Sequence, residues 1–183
     1  MSGLVGHRGL LLGGGPTGSW TTTDTQTLTN NSTGWANNTL RVVIPTSKLA
    51  AGSQIRFRLT AGTQGFNIVN AYCQTRAASG DPYDFATTPN AVLFSGSTGV
   101  MVGASASIVT DPVVMPVTTS SPIVLAVAFP TTPASSVMAG AGTGWPSSTY
   151  FKTGNDASTV NATGYSAASF ALYMLTQIEV FQP

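Results

Sequence analysis

Glutamate and lysine, which fill the exposed faces of most helices, occur only at Glu179, Lys48 and Lys152 in a chain of 183 residues. A helix bundle is therefore excluded. Charged residues are 7% of the chain and hydrophobic residues 42%, so Thr, Ser, Gly and Asn hold the places that charge usually holds. Such small polar side chains suit exposed strand faces and turns. The formal net charge is +1, which leaves no basic surface to neutralise phosphates, and no nucleic-acid partner is expected. No window reaches about 18 consecutive apolar residues, so no membrane-spanning helix is expected.

The apolar residues recur with the period of strands. Residues 54–60 give the clearest alternation: Ile55, Phe57 and Leu59 on one face, Arg56 and Arg58 on the other. Further strands are expected over 38–44, 66–72, 91–94, 100–102, 106–110, 113–117 and 147–152. Residues 122–129 form a continuous apolar run that fits a strand buried on both faces. The last segment, 168–182, is apolar on both parities, which places it centrally in a sheet or against another subunit. The pattern predicts an all-β fold, an antiparallel β-sandwich or jelly roll over residues 20–183. Residues 1–19 differ: Gly13, Gly14, Gly15 and Pro16 cannot lie inside a helix or a central strand. They are expected to form an extended N-terminal arm whose Leu4, Val5, Leu10, Leu11 and Leu12 bind a partner surface.

Catalytic chemistry finds little to work with. The one histidine, His7, lies in the glycine-rich arm, where nothing would fix an imidazole for a Ser-His-Asp triad. No Gly-x-Ser-x-Gly elbow is present. Asp81 and Asp84 could form a carboxylate pair or a weak Ca²⁺ site, but at this spacing in a turn they more often cap backbone amides. Cys73 is the single cysteine, so no intrachain disulfide and no multi-cysteine metal site are expected; a small buried apolar role fits it best. Among aromatics in turn-rich segments, Trp145, Tyr83 and Tyr150 are the candidates for a glycan platform, with Gly144-Trp145-Pro146 the best candidate for an exposed contact. No enzyme activity and no cofactor are expected.

Residues about 38–181 resemble the β-sandwich accessory domain that precedes the catalytic domain of some SGNH (GDSL-type) hydrolases. The resemblance runs through residues 39–43, 53–60, 66–71, 109–113 and 123–129, and ends at 173–180. It implies the sandwich. The Gly-Asp-Ser nucleophile block that would follow the last strand is not present, and Ser79-Gly80-Asp81 matches it in neither order nor position. The resemblance thus implies no hydrolase activity. In overall style the chain also resembles small virion proteins of tailed bacteriophages, with a short glycine- and leucine-containing arm before a compact Thr/Ser/Gly-rich β domain. That likeness implies a capsid decoration or a head or tail appendage. It also implies virion proteins as partners, a homo-oligomer (a trimer by analogy) and host surface glycan as a further partner. The N-terminus lacks the apolar stretch of a secretory signal, so synthesis in the host cytoplasm and localisation to the virion are expected.

Overall fold

The computed structural model describes residues 17–183. In chain order the first strands are β1 (Ser19–Thr25), β2 (Asn30–Ser32), β3 (Asn38–Ile44), β4 (Gly52–Thr60), β5 (Phe66–Ile68) and β6 (Asn70–Thr75). The next are β7 (Asn90–Val92), β8 (Val100–Val102), β9 (Ser107–Val109), β10 (Val113–Val117) and β11 (Ile123–Ala128). The last are β12 (Val137–Gly140), β13 (Thr149–Thr153), β14 (Ser166–Ala167), β15 (Leu172–Tyr173) and β16 (Leu175–Gln182). A single 3-10 turn, Thr46–Lys48, is the one helical element among the described residues.

The fold is all-β and antiparallel. One sheet runs β1-β16-β4-β10, with β9 also pairing β4; the second runs β14-β13-β3-β11-β6-β7. Small sheets of β15-β12-β2 and β5-β8 complete it. Alternation explains the packing. Ile55, Phe57 and Leu59 of β4 are fully buried, and they meet Leu40, Val42 and Ile44 of β3 and Ile123, Leu125 and Val127 of β11 in one apolar core. The two main sheets therefore lie face to face as a sandwich. Cys73 on β6 reaches across this core to Met115 on β10, sulfur to sulfur 3.8 Å.

The second sheet is buried on its outer face as well. There Val43, Val124, Ala126 and Ala128 pack against Tyr83, Phe85, Ala157 and Ala162 from two covering loops. This explains the continuous apolar run of β11, whose every residue is buried. Its alternate side chains serve two different cores.

Several expectations shift at their edges. The strand expected over 66–72 is broken at Val69 into β5 and β6, which join different sheets. The segment expected over 168–182 is split at Met174, whose φ of 50° turns the chain between β15 and β16. β16 then lies between β1 and β4, and Phe181 on its outer face packs on Trp20 of β1 with ring centres 5.5 Å apart. The two-sided apolar pattern is thus accounted for within the chain. Of the expected arm, residues 1–16, including Leu4, Val5, Leu10, Leu11 and Leu12, lie outside the described residues, and Ser19 already belongs to β1.

Burial fixes the chemistry of the cysteine. Loss of solvation pushes the Cys73 thiol up from its ordinary 9.0 to about 12. A raised folded-state value means the native thiol holds its proton more tightly than the unfolded one. Stability is therefore complete below about pH 9 and falls as pH rises toward 12, by about 1.4 kcal/mol per pH unit. Two results are expected: no reaction of the native protein with a thiol reagent at pH 8, and a shallower alkaline decline in unfolding midpoint for Cys73→Ala. Equal alkaline slopes would refute the assignment.

Candidate functional site

The covering loops are pinned by an arginine. Arg41 occupies the outer face of β3 and is fully buried. Its Nη1 donates to the carbonyl of Tyr83 at 2.8 Å, and its Nη2 donates to those of Asp156 and Thr159 at 2.9 and 2.6 Å. Its Nε donates to the Tyr165 hydroxyl at 3.2 Å. The guanidinium also lies over the rings of Phe85 and Tyr165, 4.6 and 5.2 Å from their centres. Thr39, on the same face, donates to the Gly154 carbonyl and accepts from the Asp156 amide. The cation is therefore solvated by main-chain dipoles and aromatic faces; the Asp156 carboxylate turns instead to Lys152 and Thr159.

Tyr83 and Tyr150, expected to act together, do meet. Their ring centres are 5.0 Å apart, and the Tyr165 ring centre stands 4.8 Å from that of Tyr83. Tyr83 is nevertheless only 5% exposed, so it is a wall of the covering layer and offers no open platform. Burial pushes its phenol up, and the hydrogen bond it donates to the Asp81 carboxylate adds to the shift. Burial likewise raises Tyr165, with Arg41 pulling the other way. Asp84 behaves as a turn cap, whereas the Asp81 carboxylate accepts from the Tyr83 hydroxyl. Asp84 Oδ2 accepts from the Asp81 amide and Oδ1 from the Ala162 amide, leaving that carboxylate committed to the backbone. Among the described residues no three His, Cys, Asp or Glu side chains gather to hold a metal ion.

Trp145 corrects the expectation of an exposed contact. It is 7% exposed, and its indole N–H donates to Asp24 Oδ2 at 3.0 Å. The same carboxylate accepts from the Gln26 amide at 2.9 and 3.0 Å and pairs with Lys48 Nζ at 3.0 Å. A polar group near the core thus draws in a ring that its Gly and Pro neighbours would leave outside.

The neighbours of these two buried rings remain accessible. Pro82, beside Tyr83, and Pro146, beside Trp145, line one concavity of about 160 Å³ with Tyr150. Pro45, just after β3, Pro122, just before β11, and Arg76 and Ser147 also line it. Tyr150 and Arg76 are half-buried and Ser147 is exposed. Arg76 was not distinguished in the sequence from the other outward-facing arginines; its place beside four prolines comes from the fold alone.

A larger concavity of about 220 Å³ lies against Trp35, Phe151 and Tyr173. Several of its polar groups are already hydrogen-bonded within the chain. Trp35 Nε1 donates to Ser32, the Asn38 amide donates to the carbonyls of Ala36 and Gly34, and the Tyr173 hydroxyl accepts from the Phe170 amide. Trp35 itself is a core residue, ringed by Phe129, Phe151 and Tyr173 at 5.2–6.0 Å. The smaller concavity, which carries a charged group, is the better candidate site. No protein-family model matches the chain, and no curated protein matches it.

Proposed function

We propose that the chain is a non-enzymatic structural module of a tailed-bacteriophage virion, a β-sandwich capsid decoration or head or tail appendage docked through its N-terminal arm. The observation that supports this reading is the use made of the buried ionisable groups. Arg41, Asp24 and Asp84 are all buried, and each is tied to loop backbone or to loop side chains. Their work is to hold covering segments rigid, as a module that displays a fixed surface requires. The low charge and the Thr/Ser-rich strand faces point the same way.

The arm would bury Leu4, Val5, Leu10, Leu11 and Leu12 on a neighbouring protein, at about 25 cal/mol per Å² before ordering costs. Deleting residues 2–15 is expected to leave a folded domain that no longer assembles. Mass measurement in solution and incorporation into particles check this. Full-length protein should form a defined oligomer and the truncation a monomer. A truncation that still enters particles refutes the arm's role.

A second reading is favoured by the concavity at Tyr150: a glycan-binding module, compatible with display on a particle that meets host polysaccharide. The site would be Tyr150 with Pro82, Pro146 and Ser147, with the Tyr150 ring backed by Tyr83.

A further inference from the structure

We infer that the concavity bounded by Tyr150, Arg76 and Pro146 selects an acidic sugar, a pyranose bearing a carboxylate, over its neutral counterpart. This rests on the glycan-binding reading and adds the chemical class of the ligand.

Charge comes first. The ion pairs among the described residues join Lys48 to Asp24, Arg56 to Glu179 and Lys152 to Asp156. Arg76 has no such carboxylate, although it is half-buried and lines an apolar pocket. An arginine in partly desolvated surroundings gains most from an anionic partner, and its planar fork matches a carboxylate with two parallel bonds. Among the described residues no carboxylate lies within ion-pair distance of Arg76, so its fork is open to the carboxylate of a ligand.

The lining then chooses among carboxylates. A peptide terminus is usually held through its main chain, by a strand edge or by a nest of backbone amides. Pro45, Pro82, Pro122 and Pro146 line this pocket, and proline has no amide hydrogen to give. What they present is rigid C–H surface, and Tyr150 adds an aromatic face. A pyranose has a C–H face to lay on such rings and a hydroxyl edge for Ser147. A uronic acid adds one carboxylate to the ring, the group that Arg76 in the lining would pair with. The volume of about 160 Å³ suits one ring and not an extended chain.

The test is titration of the full chain with glucuronate, glucose and acetate, followed by the backbone amide resonances of Ser147 and Ser148. Glucuronate is expected to bind about tenfold or more tightly than glucose, and acetate to shift these resonances weakly or not at all. Arg76→Gln should lower the glucuronate affinity by about tenfold or more while leaving glucose unchanged, and Arg76→Lys should retain part of the preference. Because Arg76 is partly exposed, both variants are expected to melt with the parent protein, and a melting curve confirms it. Equal binding of glucose and glucuronate, with no effect of Arg76→Gln, would overturn the acidic preference and leave the glycan reading standing. Acetate binding as well as glucuronate would overturn the sugar. No response to either sugar would overturn both readings.

Discussion

Arg41→Ala is expected to destabilise the protein by about 4 kcal/mol, measured as the shift in urea midpoint at constant slope. Three carbonyls, those of Tyr83, Asp156 and Thr159, accept from this one side chain. Its removal leaves the carbonyls of Tyr83 and Thr159 without a donor, while that of Asp156 keeps the Thr159 amide, and it strips Phe85 and Tyr165 of the group packed on their faces. The damage should be local as well as global. Protease cleavage should appear first within residues 77–89 and 154–165, the segments the guanidinium holds. Arg41→Met separates packing from polar bonding: it restores volume and leaves the Tyr83 and Thr159 carbonyls unmet. It is expected to recover about half of the loss. A methionine variant as stable as the parent would mean that the carbonyls gain nothing from the cation, in line with the general observation that buried charges are often replaceable by apolar groups.

Asp24→Ala is expected to cost about 3 kcal/mol. Asp24 is 9% exposed, and its carboxylate collects donors from Gln26, Trp145 and Lys48. Alanine leaves an indole N–H and an ammonium without their acceptor, although Lys48 keeps the Thr143 carbonyl at 2.7 Å. The expected signature is a red shift of tryptophan emission, because Trp145 would turn toward water. Asp24→Asn keeps the shape and should lose about half as much. Unchanged emission together with unchanged stability in the alanine variant would show that Trp145 is held by packing alone.

These two residues also mark what was legible in the sequence. The alternation of residues 54–60 could be read directly, because one face of β4 meets the core and the other meets water. The run of β11 could be read as doubly buried for a similar reason. β1 could not: Ser19–Thr25 is a threonine-rich stretch with no clean alternation, and its strand character comes from pairing with β16 at the far end of the chain. The break at Met174 was equally silent, since nothing local marks a methionine for positive φ. Trp145 misled because its neighbours Gly144 and Pro146 are loop residues, whereas its fate is set by a carboxylate 121 positions away. Arg41 was hidden for a simpler reason. An arginine between apolar residues in a strand looks the same whether its outward face meets solvent or a second layer of chain. Of the three aromatic candidates, Tyr150 lines the concavity, and the other two are buried chain neighbours of the prolines that do.

The pairing of β1 with β16 has a mechanical consequence. Ser19, at the start of β1, lies opposite Gln182, at the end of β16, and β1 is the outermost strand of its sheet. A tension applied between these two residues would act across the ladder. The bonds would open one after another from that end, and β1 would peel away as a zip opens. The remaining strands of the sheet, β16 held by β4 and β4 by β10, would stay closed while it did so. Tethered at both points and stretched, the module would yield stepwise, easily over Ser19 to Thr22 and then against the resistance of Asp24, whose carboxylate holds Trp145 and Lys48.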